Sequence, residues 1–186
     1  MIEMRRVTIV ALLLAASTVD ARPASNGWYA EGGLGAVAFL PKHADDGAVG
    51  PALGVRIGRD LFSWLSLGIS LAASSHEATV DPPPEGEWFQ LYRGGGDLRI
   101  GGRFDRIALF IEGGVGIAII SSNILDKVMV TEPGETFSIG FSGGAGFEYQ
   151  LENRHYALGL GVDVFVLPQF DTVKAIDSRL YLRYTY

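Results

Sequence analysis

Most of the chain alternates apolar residues with small or polar ones at a period of two, which indicates strands with one apolar face. The clearest row has Leu65, Leu67, Ile69 and Leu71 on one face, with serine, glycine and alanine between them. Applied to the whole chain, this rule predicts no helix after residue 21 and eight strands, near 28–40, 51–58, 64–75, 89–104, 107–120, 137–151, 155–166 and 176–186.

The predicted connections alternate between short and long. Short turns follow the second, fourth and sixth strands, around residues 59–60, 105–106 and 152–154. The other connections are roughly 9 to 16 residues long, more than a hairpin requires. They are the segments 41–50, 76–88, 121–136 and 167–175. Short turns on one rim and long loops on the other are typical of an up-and-down barrel in an outer membrane.

The first 21 residues have the pattern of a secretory signal peptide. Arg5 and Arg6 precede an apolar run over residues 7–16, and small residues end at Val19 and Ala21. The apolar run is shorter than the roughly 20 residues that a membrane-spanning helix needs. We therefore predict export, cleavage after Ala21 and a single mature domain over residues 22–186.

Composition excludes several classes of protein. The chain of 186 residues has no cysteine, so a disulfide scaffold, a thiol nucleophile and a cysteine zinc site are excluded. A formal net charge of −6 argues against nucleic acid as a partner, because little would neutralise the phosphates. Glycine is about twice as frequent as usual, at 25 residues.

The charged residues on the small-residue face indicate which face points inward. They comprise six acids and six bases, and every base is arginine rather than lysine. A confined interior favours arginine, whose planar fork pairs with two carboxylate oxygens, and it favours matched charges. The predicted interior pairs involve Glu31, Arg56, Arg93, Asp97, Arg99, Arg103, Glu112, Glu148, Asp163, Asp177, Arg179 and Arg183. The aliphatic face would then meet lipid, whereas a soluble lipocalin-like barrel would turn the same stripe inward.

Aromatic residues gather at two levels, as in the interfacial girdles of membrane barrels. The group near the short-turn rim is Trp28, Tyr29, Phe62, Trp64, Phe104, Phe147, Tyr149, Tyr156, Tyr184 and Tyr186. The group near the long-loop rim is Phe39, Trp88, Phe89 and Phe137.

The last strand has Leu180, Leu182, Tyr184 and the C-terminal Tyr186 at alternate positions. The chain over residues 28–186 resembles the eight-stranded outer membrane barrels of the OmpA and OmpX type, and this last strand is the most specific element of the resemblance. The resemblance implies that these four residues are the signal read by the barrel-assembly machinery, although phenylalanine is more common at the terminal position. It also implies that the last strand pairs with the first to leave no open edge, and that both termini are periplasmic.

Catalytic motifs are incomplete. The segment from His155 to Leu158 resembles the His-x-Ser-Asn motif of PagL-type deacylases but lacks the serine. Residues of the types that a PagP-type acyltransferase needs occur near the loops, without a pattern that fixes their geometry. They are His43, Asp45, Asp46, Ser74, Ser75 and His76. We therefore predict no enzymatic activity and no cofactor.

The long loops are acidic and offer candidate contacts. A weak divalent-cation site could form from His43, Asp45, Asp46, His76 and Glu77, but no ligand spacing recurs, so solvated loop charge is the preferred interpretation. Lipid and lipopolysaccharide are the expected partners, together with a possible extracellular partner that contacts the four long loops.

The sequence therefore predicts an integral outer membrane β-barrel with a structural or surface-interaction role. Eight strands leave room only for side chains or one small ligand, which argues against a general porin. Two alternatives stay open at this stage. One is a narrow OmpW-like channel for small hydrophobic molecules, with an inner funnel of Phe110, Ile120, Phe165 and Tyr181. The other is the soluble lipocalin-like carrier.

Overall fold

The computed structural model describes residues 27–41, 47–78, 88–121 and 137–186. These residues form a closed barrel in which each strand pairs antiparallel with its sequence neighbours and the first strand pairs with the last. The strands are β1 (Trp28–Phe39), β2 (Gly50–Phe62), β3 (Leu65–Glu77), β4 (Trp88–Phe104), β5 (Ile107–Ile120), β6 (Phe137–Gln150), β7 (Tyr156–Leu167) and β8 (Val173–Thr185). The described residues contain no helix of the length and hydropathy needed to span a membrane. The predicted eight-stranded antiparallel barrel is confirmed.

Alternate residues of each strand point to opposite faces of the wall. The aliphatic rows point outward: Ile69 is 69% exposed, Leu71 62% and Ile111 61%. The small and charged residues point inward, and Arg99 and Glu112 are 4% and 8% exposed. The lipocalin-like alternative, which needs the aliphatic rows inside, is therefore wrong.

Glycines in the wall make room for large inward side chains on neighbouring strands. Gly58 of β2 is paired with Tyr29 of β1, and a Cβ at Gly58 would overlap the tyrosine ring and hydroxyl. Gly159 of β7 is paired with Tyr181 of β8, and a Cβ there would overlap the ring of Tyr181. The high glycine content thus serves the packing of the lumen at these positions.

β2 and β8 are longer than predicted. β2 continues to Phe62, beyond the predicted end at 58, because its ladder with β3 resumes after a bulge between Asp60 and Phe62. β8 begins at Val173 rather than 176, because Val173 pairs with Leu167 of β7. The predicted long connection 167–175 is therefore wrong, and residues 168–172 alone join the two strands.

The turn 168–172 is fixed to the neighbouring strand β6. Gln169 Oε1 accepts hydrogen bonds from Ser138 Oγ at 2.7 Å and from the backbone nitrogen of Ile139 at 2.8 Å. Phe170 packs against apolar side chains inside the barrel. Side-chain anchoring of this kind holds the turn against β6, and a period-two pattern carries no signal for it.

The aromatic residues divide between the outer surface and the lumen. Those exposed near the rims include Trp28, Phe62, Trp64, Trp88, Phe104, Phe137, Phe147, Tyr149 and Tyr186. Three members of the predicted girdles point inward instead, because they occupy inward positions of their strands. Tyr29 is 1% exposed, Phe89 is 9% exposed, and Phe39 packs against the apolar interior.

Candidate functional site

The lumen is the candidate functional site, and its two ends differ. The terminal end carries the turns 63–64, 105–106 and 151–155 together with the start of β1 and the end of β8. The loop end carries the turn 168–172. Inward side chains form a charged layer at the terminal end and an apolar layer at the loop end, and a cavity lies between them.

The charged layer is centred on Arg99 of β4. Arg99 Nη1 lies 3.0 Å from Glu31 Oε1 and 2.6 Å from Glu148 Oε1, and Arg99 Nη2 lies 3.2 Å from Glu112 Oε2. Two more guanidinium groups join them: Arg56 Nη1 lies 2.9 Å from Glu112 Oε2, and Arg183 Nη1 lies 3.3 Å from Glu148 Oε1. We call the group formed by Glu31, Arg56, Arg99, Glu112, Glu148 and Arg183 the Arg99 cluster. It joins six strands through bonds whose donors and acceptors are charged, which are the stronger kind.

Asp60 is a member of this network that the sequence analysis missed. Arg183 Nη2 donates to Asp60 Oδ1 at 2.6 Å and to Asp60 Oδ2 at 2.7 Å, and Ser66 Oγ donates to Asp60 Oδ1 at 2.6 Å. The sequence pattern predicts Asp60 in a turn. It shares the inward parity of Arg56 and Gly58, so extending the alternation of β2 by two residues would have found it.

Aromatic rings pack against the guanidinium groups of the Arg99 cluster. The guanidinium carbon of Arg99 lies 4.0 Å from the ring centre of Phe110, and that of Arg183 lies 3.9 Å from the ring centre of Tyr29. Tyr181 donates its hydroxyl to Glu148 Oε1 at 3.0 Å. Phe110 and Tyr181 therefore belong to the charged layer and do not form the apolar funnel considered from the sequence.

The remaining predicted charges also point into the lumen. Arg93 pairs with Asp177, Arg179 pairs with Asp163 and Glu112, and Arg103 lies 3.7 Å from Glu148. Asp97 Oδ2 accepts a hydrogen bond from Arg56 Nε at 3.2 Å. All twelve residues singled out from the sequence are thus within 4.0 Å of an opposite charge, and all belong to inward positions of their strands.

The apolar layer fills the lumen near the loop end. We call it the loop-end cluster, formed by Val37, Ala52, Leu91, Ala118, Phe165, Leu167 and Ala175. Phe39, Ile120, Phe170 and Val173 pack against it. Two residues of the expected funnel, Phe165 and Ile120, are therefore here. The sequence pattern indicates charges throughout the interior, with an apolar funnel only as an alternative. Charge does reach this layer, because the guanidinium carbon of Arg93 lies 4.1 Å from the ring centre of Phe165.

His76 is buried inside the barrel, although the sequence analysis placed it in an outer loop. Its ring is completely buried, with Nδ1 3.0 Å from Ala48 O and Nε2 2.9 Å from Ser74 Oγ. The rings of Phe39 and Phe89 lie 4.8 Å and 5.3 Å from it. The strand β3 continues to Glu77, which gives His76 inward parity and removes it from any loop site.

Other candidate chemistry is not assembled in the described residues. His155 is exposed, and its Nδ1 lies 2.7 Å from the backbone oxygen of Thr185. His43, Asp45 and Asp46 lie outside the described residues. Within the ranges that the structure describes, no group of three metal-ligating side chains comes together.

A cavity of about 130 Å³ separates the two layers, and we call it the mid-lumen cavity. Glu31, Arg56 and Glu112 of the Arg99 cluster border it on one side. Ala118, Phe165 and Leu167 of the loop-end cluster border it on the other. Fourteen of the residues that line it are glycine, alanine or serine, whose small side chains leave the space open.

The residues of the expected assembly signal lie on the outer surface of β8 and at its end. Leu180 is 53% exposed, Leu182 46% and Tyr186 69%. The Tyr184 ring lies 4.9 Å from the ring of Tyr186 and 4.9 Å from that of Tyr156. These side chains form an aliphatic row that ends in a group of aromatic rings at the terminal end.

The sequence matches the family of the outer membrane protein beta-barrel domain over residues 8–176. The chain belongs to this family. Membership agrees with the outward aliphatic rows and places the protein in the outer membrane. No curated protein matches the sequence.

Several solved outer membrane barrels share the fold of this family member at low sequence identity. Neisserial surface protein A (NspA) aligns with a TM-score of 0.63 and 14% identity, covering 86% of this chain and 97% of its own. OprG from Pseudomonas aeruginosa gives 0.60 and 14%, covering 90% and 99%. Ail, the attachment invasion locus protein of Yersinia pestis, gives 0.54 and 12%, covering 87% and 99%. At these identities the likeness establishes the fold alone.

Proposed function

We propose that this outer membrane barrel has a structural or surface-contact role and passes no solute through its lumen. The Arg99 cluster carries the proposal. Arg99 bonds to carboxylates from three other strands, Glu31 of β1, Glu112 of β5 and Glu148 of β6, and is 4% exposed. Opening a path there requires breaking several charged hydrogen bonds together, which is costly in a confined interior.

Planar-bilayer recording tests whether the lumen is closed. We expect the purified, folded barrel to give no steady single-channel conductance, because the Arg99 cluster fills the cross-section at the terminal end. The Arg99→Ala variant, if it folds, should conduct more than the wild type. Steady conductance of the wild type that equals that of Arg99→Ala would overturn the proposal.

We also propose how the chain is oriented in the membrane. After removal of residues 1–21, the mature domain 22–186 would have both termini in the periplasm and its loop end outside. The shared rim of the short turns and the strand ends supports this orientation. An epitope inserted in the turn 168–172 should be labelled on intact cells, whereas a tag after Tyr186 should not. The reverse labelling pattern would contradict the orientation.

Partners follow from that orientation. We propose that the connections 40–49, 78–87 and 121–136, with the turn 168–172, contact lipopolysaccharide or an extracellular partner. The row Leu180, Leu182, Tyr184 and Tyr186 would be the signal for the barrel-assembly machinery. Its exposure on β8 supports this role. Tyr186→Ser should reduce the amount of folded barrel in the outer membrane, whereas Thr185→Ser, at the neighbouring inward position, should not.

A non-enzymatic role is part of the proposal. Ser74 and His76 are hydrogen-bonded, but they are 3% and 0% exposed, so a substrate would have no access without opening the barrel. The exposed His155 has Ala157, not serine, two residues further along the chain.

A narrow pathway for small hydrophobic molecules is a second candidate, favoured by the loop-end cluster. Apolar side chains such as Phe165 and Leu167 fill the outer part of the lumen. Such a pathway would need a lateral exit, because the Arg99 cluster blocks the terminal end. Uptake of a small hydrophobic probe by proteoliposomes, lost when Gly54 in the cavity wall is replaced by leucine, would favour this candidate. A Cβ at Gly54 meets no atom closer than 3.4 Å, so this substitution fills the cavity without displacing the wall.

A further inference from the structure

The end of the β7–β8 hairpin extends beyond the two ladders that hold its strands in the wall. We call residues 167–173 the β7–β8 tip. The ladder between β6 and β7 has its last pair at Phe141 and Val166, and the ladder between β1 and β8 has its last pair at Phe39 and Ala175. Backbone hydrogen bonds inside the tip close its turn. The tip therefore keeps its own shape and can move as a unit.

A side chain replaces the missing strand pairing between the tip and β6. Residues 137–140 of β6 pair with β5 but have no partner in the ladder with β7. Instead, Gln169 Oε1 accepts hydrogen bonds from Ser138 Oγ and from the backbone nitrogen of Ile139, and the backbone nitrogen of Gln169 donates to Ser138 Oγ at 3.3 Å. We call Gln169 and Ser138 the latch. Because Gln169 is exposed, water can replace these bonds when the tip moves.

The backbone of the tip is strained in the position that the latch holds. Asp171 and Thr172 have φ angles of 48° and 59°, in the left-handed region that residues other than glycine rarely adopt. A β-branched residue such as Thr172 is especially unfavourable there. Such a conformation persists only where its surroundings hold it, so the strain favours movement of the tip and the latch opposes it.

The tip carries part of the apolar layer that closes the lumen at the loop end. Leu167, Phe170 and Val173 all belong to the tip, and they pack in or against the loop-end cluster. Leu167 also lines the mid-lumen cavity directly. Movement of the tip away from β6 would withdraw these three side chains together from above the cavity.

We propose that the β7–β8 tip is a gate to the mid-lumen cavity. The latch holds the gate closed, and its opening admits small molecules from the loop end while the Arg99 cluster keeps the terminal end closed. Local openings of this kind are drawn from the parts of a fold with the fewest ladder contacts. The gate goes beyond the structural role proposed above and does not depend on it, because it serves the cavity and not passage through the barrel.

The test measures access to the cavity through a single thiol. The chain has no cysteine, so Ser70→Cys provides one reporter. Ser70 lies on β3, away from the latch, and lines the cavity. The folded mature chain in detergent micelles is treated with methanethiosulfonate ethylammonium, and the rate of modification is followed by mass spectrometry. We expect complete modification that is much slower than that of Glu152→Cys in an exposed turn.

Gln169→Ala, added to Ser70→Cys, opens the latch. We expect modification to become at least about tenfold faster, the scale of one or two lost hydrogen bonds. The matched control is Gln150→Ala at the terminal end. Gln150 also makes two side-chain hydrogen bonds, with Arg103 and with the backbone oxygen of Arg154, and its replacement should leave the rate unchanged. Ser138→Ala removes the other half of the latch and takes the place of Gln169→Ala if that variant does not fold, as judged by heat-modifiable gel migration.

Thr172→Asn should have the opposite effect. Asparagine adopts the left-handed conformation more readily than threonine, so the closed tip becomes more stable and modification becomes at least about threefold slower. General loosening of the barrel would not give this sign. The proposal is overturned if Ser70→Cys reacts as fast as Glu152→Cys or never reacts, if a folded latch variant keeps the original rate, if Gln150→Ala accelerates modification as much as Gln169→Ala, or if Thr172→Asn does not slow it.

Discussion

The terminal end and the loop end of the lumen are filled by different kinds of side chain. At the terminal end, Arg99 and its carboxylate partners fill the space with directional bonds between charged groups. At the loop end, Leu91, Phe165 and Leu167 fill the lumen mainly by apolar contact, and the Arg93 guanidinium packs on the ring of Phe165. One period-two wall therefore accepts either kind of filling, because the wall fixes only which residues point inward. The cost of a substitution should therefore depend on the layer it touches.

The largest effect is expected from Arg99→Ala. It leaves Glu31 and Glu148 buried beside fewer positive charges, and breaking a buried ion pair in this way costs about 3–5 kcal/mol. The free energy of unfolding, measured by urea titration in lipid vesicles, checks this. Arg154→Ala, in an exposed turn, is the control and should change stability by less than about 0.5 kcal/mol. Equal effects of the two substitutions would remove the distinction between the charged layer and the surface.

Ile69→Arg tests the outer side of the wall between the two layers. Ile69 is 69% exposed and lies near the middle of β3, so it meets lipid chains. A charge there should cost about 2–4 kcal/mol in the same titration. Ile69→Leu keeps the surface apolar and should be close to wild type. Full tolerance of arginine would show that this face meets water.

Tyr181→Phe tests one hydrogen bond of the charged layer without changing its shape. The Tyr181 hydroxyl donates to Glu148 Oε1 at 3.0 Å, and a hydrogen bond to a charged group contributes about 1.5–3 kcal/mol. We expect a loss in that range. Tyr92→Phe, at an exposed position on the outer face, is the matched control. A loss no greater than that of the control would show that the phenol acts only through packing.

Ile120→Val tests the apolar layer and should have the smallest effect. Ile120 packs against the loop-end cluster, and removing one methylene from such a site costs about 0.5–1.5 kcal/mol. The cost should not change between low and high salt, because no charge is involved. A salt-dependent loss would mean that the two layers are coupled and not independent.

The sequence predicted the barrel well because a lipid-exposed wall enforces strict alternation. Six strands were predicted within two residues at both ends, and the parity of Arg99 and Glu112 placed them inside. The prediction failed where tertiary contacts override the pattern. Asp60 continues β2 through a bulge, and Gln169 ties a tight turn to β6. Neither contact leaves a periodic signal in the sequence.

The interior of the candidate site was only partly predictable. The twelve charges could be assigned to the lumen by parity, but their division into layers depends on how far each residue lies along its strand. His76 and Phe39 were assigned to a loop and to a girdle because their strands were expected to end near them, yet both pack inside. The cavity arises from small side chains on several strands, so no single stretch of sequence contains it.

The pairing of Gly58 with Tyr29, and of Gly159 with Tyr181, has a consequence for how this protein can evolve. Each glycine leaves a space in the inner wall that a neighbouring tyrosine ring occupies. Replacing the glycine with a larger residue would displace the ring, and replacing the tyrosine with a smaller residue would leave the space empty. Substitutions at these positions should therefore arise in compensating couples across adjacent strands, and a tyrosine lost alone would leave the inner wall with a gap that its glycine cannot close.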